Sequence, residues 1–185
     1  ISVNGPKWLS VPVDVKGNYH IKIKDVLVVS NDWKKDHVNF FKNNYRIAEN
    51  FNLLMPWVEE MYEKANSKYL TDINECFIRG INDRLGIEVE MKRSSEFILA
   101  EEKTERLLNI CTDLGIDKYY SGPAAKAYMD EELFANKNVL VEYWDYSNFK
   151  TYSQLWDGFE HEVSVLDLMF NVPENNWDKM LKIGK

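Results

Sequence analysis

Two loops in this chain carry residue types suited to holding an anion. Tyr119-Tyr120-Ser121-Gly122-Pro123 runs from an aromatic pair into a turn, and Ala124, Ala125 and Lys126 follow. Ser121 supplies a hydroxyl. Gly122, without a Cβ, lets a ligand approach the backbone closely. A helical turn opening at the alanines would offer free N–H groups to a phosphate or carboxylate, and Lys126 adds a positive charge. The second loop is Arg93-Ser94-Ser95-Glu96, where Arg93 and Ser95 extend a polar floor. Lys103 opens a helix, the end where a cation opposes the dipole, so it is either a solvated charge or an anion contact. Turn geometry alone also accounts for Ser-Gly-Pro. Neither a GxxxxGK nor a GxGxxG spacing occurs.

Proton handling would fall to Asp167 or His37. Asp167 interrupts the apolar run Val163-Ser164-Val165-Leu166-Asp167-Leu168-Met169-Phe170. A carboxylate there must be paired, hydrogen-bonded or turned to a wet cleft, because burying it alone is costly. His37 shares a helix face with Trp33 and Phe40, which also suits a satisfied, half-buried histidine. No Ser-His-Asp order and no Gly-x-Ser-x-Gly elbow is present. His20, His37 and His161 are widely spaced, so the sequence predicts no metal site. Cys76 and Cys111 lie in apolar helical patterns without CxxC spacing and read as reduced, buried small hydrophobes.

The elements that must position these groups follow from periodicity. Alternation predicts strands over 8–13, 20–24 and 87–92, and short apolar runs predict strands over 26–29, 116–120 and 139–144. Helical spacing predicts helices over 33–45, 48–65, 71–85, 103–114 and 163–170. Pro56 should kink or restart the second of these. Gly86 and Gly115 stand where helix-stopping residues are wanted. Strand and helix alternate through the second half. The fold class is therefore α/β, a Rossmann-like, mainly parallel sheet with flanking helices, in one domain over 1–185. In such a sheet ligands bind beyond the carboxyl ends of the strands.

Composition sets bounds on the partners. The chain has 185 residues, 45% hydrophobic and 29% charged, which suits a globular domain rather than a disordered one. The net charge of −7 comes without a basic stripe, which argues against nucleic acid as a partner. Six Trp and ten Tyr suit a core and also a stacking cleft for a sugar or a base. No apolar run reaches the ~18 residues of a membrane span and no leader is visible, which points to a cytoplasmic protein. The chain starts at Ile1 within a strand-like run, so the expectation is that preceding strands are missing. An edge at 8–13 would then invite a homo-oligomer or an upstream segment to cover it.

Six stretches, in order, carry a family resemblance. They are Lys7-Trp8-Leu9-Ser10-Val11-Pro12-Val13, Asp32-Trp33-Lys34-Lys35-Asp36-His37, Arg93-Ser94-Ser95-Glu96, Lys103-Thr104-Glu105-Arg106-Leu107-Leu108, Tyr120-Ser121-Gly122-Pro123 with Lys126 and Tyr128, and Leu166-Asp167-Leu168-Met169-Phe170-Asn171. Together they resemble the WbqC-like protein family across nearly the whole chain. The family's early Gln-Pro-x-Tyr-x-Pro-Trp type segment has no counterpart here. Ala124-Ala125 stands where the family shows a small residue and Gly, and Ala127 where an acid is common.

The resemblance implies a transferase of O-antigen or other surface-polysaccharide precursor synthesis, moving an aminoacyl (glycine) or acyl group to a nucleotide-linked sugar. A nucleotide is the cofactor class such a sheet would take, and a nucleotide sugar the small-molecule substrate. Ser121, Gly122 and Lys126 would then hold phosphate or carboxylate, with Arg93, Ser95 and Lys103 beside them and His37 or Asp167 handling protons. Nucleotidyl transfer on the same kind of sheet and a non-catalytic sugar- or nucleotide-binding role in an assembly are the alternatives.

Overall fold

The structure, a computed structural model, describes residues 1–18, 20–147, 149–156 and 158–181. In chain order its elements are β1 (Val13–Asp14), β2 (Leu27–Val28), α1 (Asp32–Tyr45), α2 (Phe51–Lys64), α3 (Leu70–Leu85), α4 (Lys103–Asp113), β3 (Lys118–Ser121), α5 (Glu131–Ala135), β4 (Leu140–Tyr143), α6 (Val165–Asn171) and α7 (Trp177–Leu181). The fold is mixed α/β. β1 pairs with β2 antiparallel, and β3 pairs with β4 parallel. The chain forms two compact units, one of Ile1–Glu88 with the described part of Phe149–Lys182, the other of the described part of Val89–Asn148. Among the described residues no helix is long and apolar enough to cross a membrane.

The first unit is built from helices because their apolar stripes meet. Trp33, His37, Phe41 and Tyr45 recur every four residues along α1 and are all buried. They face Leu54, Val58 and Tyr62 of α2, Ile73 of α3, and Leu168, Met169 and Phe170 of α6. Phe170 is fully buried and stacks on Tyr45 at 4.8 Å and Phe41 at 5.8 Å between ring centres. Burying a ring of this size contributes about 2–3 kcal/mol relative to exposing it. Asn50 closes the packing from the other side. Its backbone N–H donates to Phe170 O, and its side-chain amide donates to Met169 O and Val172 O.

Pro56 does not restart α2, which runs unbroken from Phe51 to Lys64. Pro56 and Asn52 are both exposed, so the carbonyl that loses its donor faces water and the helix tolerates the loss. Gly86 stops α3 as its position predicts. At φ 68° it lets its own N–H reach Asp83 O and Ile87 N–H reach Asn82 O, which satisfies two carbonyls of the last turn.

The second unit packs α4 and α5 on one face of β3 and β4 through Leu108, Cys111, Phe134 and Val139. Asp130 caps α5, accepting from the backbone N–H groups of Glu132 and Leu133. The segment between the strands contains α5, giving one parallel crossover unit.

A full Rossmann-like sheet is not formed. Residues 87–92 alternate but make no strand, and Val89 is 59% exposed. Alternation alone does not make a strand, because the ladder needs a neighbour to take its N–H and C=O groups. Residues 20–24 yield a 3-10 turn at Ile23–Asp25 rather than a strand. Of residues 8–13 just Val13 lies within a strand, Pro12 O accepts from Val29 N–H, and Trp8 is 94% exposed. Pro12 has no N–H to donate, and the ladder begins just after it. The strand edge expected at 8–13 is therefore absent. Cys111 is buried, but Cys76 is only partly so, a correction to the expectation for that thiol.

Candidate functional site

The carboxyl ends of β3 and β4 lie side by side, with Ser121 opposite Tyr143. Trp144 N–H donates to Ser121 O at 2.9 Å and fixes the exit of both strands together. Pleating sends Tyr119 and Ser121 to the packed face, where Tyr119 stacks on Phe134 and Ser121 is buried. Gly122 follows with a φ of −72°, which any residue adopts. A Cβ there would meet its nearest neighbour, the Tyr146 hydroxyl, at 4.0 Å. Among the described residues nothing demands a glycine at this point, since a Cβ would sit in ordinary contact with that hydroxyl.

The chain then makes a short 3-10 turn over Pro123–Ala127, with Ala125 buried beneath it. The helical turn expected at the alanines is thus of the 3-10 kind. A five-residue 3-10 segment carries no macrodipole to speak of, so attraction of an anion falls to the lysines. Lys126 Nζ lies 5.0 Å from the centre of the Tyr143 ring, and Tyr143 in turn donates its hydroxyl to Glu131 at 2.9 Å. Lys103 Nζ lies 5.5 Å from the Tyr128 ring centre. Thr104 donates to Tyr128 O and accepts from Asp130 N–H, which holds the start of α4 against the segment after the turn. An aromatic face steadies an ammonium without neutralising it. Both lysines therefore keep N–H groups to give to a ligand. The carboxylate of Asp145 is held below the usual range, mainly by the Ser147 hydroxyl and N–H and further by the charge of Lys126.

Ser121, Gly122 and Lys126 are thus joined along one strand end, with Lys103 tied to the same loop through Tyr128. Arg93 and Ser95 are exposed residues of a 3-10 turn, Ser94–Glu96, which Glu96 closes by accepting from Arg93 N–H at 2.7 Å. They do not extend from the end of a strand, since 87–92 forms none. Among the described residues no three or more His, Cys, Asp and Glu side chains gather as a metal would need.

His37 and Asp167 belong to the first unit. His37 is buried on α1, and its Nε2 donates to Ser10 O while its Nδ1 accepts from the Tyr62 hydroxyl, both at 3.2 Å. That pairing defines the neutral tautomer, and burial lowers the pKa of the ring. Asp167 is 1% exposed. Tyr45 donates to its Oδ1, and Tyr152 and Gln154 donate to its Oδ2. Burial and the neighbouring carboxylate push the hydroxyls of Tyr45 and Tyr152 well above the usual tyrosine value, so both remain donors. The wet cleft considered for Asp167 gives way to three protein donors.

Sequence reading missed Tyr143, Trp144 and Asp145, which complete the strand end. The sequence predicts a strand over 139–144, but the parallel register that sets Tyr143 beside Ser121 is a long-range fact.

The WbqC-like protein family profile matches residues 1–179. The chain is 39% identical over 168 residues to the Mycobacterium tuberculosis protein known as uncharacterized protein Rv1507c, covering 91% of this chain and 73% of that one. No solved structure matches significantly. With the profile spanning nearly every residue described above, this chain belongs to the WbqC-like protein family.

Proposed function

We propose that the carboxyl end of the β3–β4 pair binds the phosphate or carboxylate of a nucleotide-linked sugar, and that the protein serves group transfer to that sugar in surface-polysaccharide precursor synthesis. The observation that carries this reading is Lys126 held on the Tyr143 ring at the same strand end as Gly122, where a Cβ would meet nothing closer than the Tyr146 hydroxyl at 4.0 Å. Those groups lie where ligands of parallel α/β units bind. Lys103 on Tyr128 brings a second cation to the same loop. The nucleotide-sugar substrate class is part of the proposal and follows what resemblance to the family implies. Arg93 and Ser95 are the further anion contacts of the proposal, on an exposed turn of the same unit.

One observation favours a second reading, a non-catalytic sugar-nucleotide binder. Both groups suited to proton handling, His37 and Asp167, are buried and engaged by protein partners. General acid–base work needs a group within reach of the ligand's proton. In this proposal both hold the first unit together.

A thermal-shift screen with nucleotides, nucleotide sugars and amino acids tests the proposal, since a ligand that binds the native state raises its apparent stability. A nucleotide sugar should raise the melting temperature and Lys126→Ala should abolish most of that rise. No response to any phosphorylated ligand would sink it. Incubation with a nucleotide sugar and activated glycine, read by mass spectrometry, separates transferase from binder.

A further inference from the structure

The face of β3 and β4 turned away from the core carries one row of side chains. The register sets Lys118 opposite Leu140 and Tyr120 opposite Glu142, with Trp144 just past the last pair. Lys118 Nζ is 2.9 Å from Glu142 Oε1 and 5.6 Å from the Tyr120 ring centre. Tyr120 and Trp144 stack with ring centres 5.2 Å apart and planes 29° apart. Both rings are about half exposed, at 47% and 46%. Along this face Lys118 precedes Tyr120 and Trp144 follows it. Tyr120 is thus engaged from both directions, and among the described residues Trp144 has no second ring partner.

We infer that Trp144, backed by Tyr120, is a stacking platform for the apolar face of a neutral sugar ring. One face of a pyranose presents C–H bonds polarised positive by the neighbouring oxygens, and these meet the negative face of an indole. The polar pair beside the rings fits the same ligand. Glu142 accepts from a hydroxyl and Lys118 donates to one.

Charge decides against an anion here. The cation on this face is already paired, and its hydrogen bond holds the Glu142 carboxyl below the usual range. A phosphate would meet as much negative charge as positive. A nucleobase would stack as well, but its phosphate would not be accepted beside it. A second copy of the chain is disfavoured by size, since one row of five side chains falls far short of the ~800 Å² per partner of a stable interface. The inference rests on the proposed function for the sugar's origin, and it adds where the sugar ring lies.

Saturation-transfer NMR on the full chain tests it, with methyl glycosides of glucose, galactose and N-acetylglucosamine as probes and uridine monophosphate in a separate arm. We expect the glycoside ring protons to receive saturation, and Trp144→Ala to reduce it about five-fold, the loss of one stacking contact. Trp144→Phe should retain part of the signal. The inference is overturned if no glycoside is saturated by the native protein, if a folded Trp144→Ala saturates them undiminished, or if uridine monophosphate alone shows a Trp144-dependent signal. Should Trp144→Ala fail to fold, Tyr120→Ala takes its place, and undiminished saturation there is equally fatal. Sedimentation velocity closes the remaining route, since a dimer that Trp144→Ala or Trp144→Phe dissolves would make this face an interface. Uridine monophosphate that fails to bind counts against the phosphate site and leaves the glycoside arm standing.

Discussion

The Tyr45 hydroxyl donates to Asp167 Oδ1 at 2.7 Å, bonding α1 to the first turn of α6. The acid also sits near the positive end of that helix, where a negative charge is favoured. This makes Asp167 an anchor whose removal takes the carboxylate acceptor from buried Tyr45 and from half-buried Tyr152 and Gln154. Asp167→Leu should therefore cost about 3 kcal/mol or more, and Tyr45→Phe about 1–2 kcal/mol. Urea denaturation followed by tryptophan fluorescence measures both. Variants that remain folded should bind nucleotide sugar as the native protein does. A variant with full stability and lost binding would instead place Asp167 in the chemistry.

Protonation of His37 should destabilise the protein. Burial lowers its pKa below the ordinary 6.5, so the unfolded chain binds the proton more readily than the native one. The stability gained from the neutral ring is complete above the unfolded value and is lost as pH falls through the folded one. Urea midpoints across that range should fall with acidity. His37→Gln should lower the midpoint at neutral pH and flatten the slope. A slope identical in the variant would reassign the acid sensitivity to other groups.

Lys126→Ala should weaken nucleotide-sugar binding about ten-fold, the scale of one charge-assisted hydrogen bond. Lys126→Arg should recover part of it. The loss should shrink as salt is raised, because screening weakens what an exposed cation contributes. Isothermal titration at two ionic strengths reads both effects, and salt-independent affinity would count against an anion site.

The two thiols should differ in reactivity. Cys111 is 2% exposed, and burial raises its pKa, so little thiolate forms and none is reachable. Cys76 is half-buried on α3. A polar disulfide reagent should label Cys76 first and Cys111 at the rate of unfolding. Equal labelling rates in the native protein would contradict the packing of α4.

Local signals in the sequence were those that one element can satisfy by itself. The helix face shared by Trp33 and His37, the stops at Gly86 and Gly115, and the Ser121-Gly122-Pro123 turn after a strand all depend on near neighbours. The failures involve partners. Ile87, Val89 and Met91 alternate like a strand but have no ladder to join. Asp167 stood out as an acid in an apolar run, yet Tyr45 donates to it from 122 residues away. Tyr143 and Trp144 reach Ser121 through a pairing that no local pattern encodes.

Asn50 grips the carbonyls of Met169 and Val172, 119 and 122 residues further along. A chain emerging from the ribosome therefore holds the first half of that clasp long before the second half exists. Phe41 and Tyr45 cannot be buried against Phe170 until α6 has been made. Contacts of such long separation slow folding, because the intervening loop must close before they stabilise anything. The crossover unit of β3, α5 and β4 is local in sequence and available earlier. If it condenses first it shortens the flexible loop that Asn50 must close, and the cost of closure falls only slowly with loop length. The rate-limiting event of folding should then be the arrival of α6, and truncation before Leu166 should leave an aromatic-rich helical surface open to aggregation.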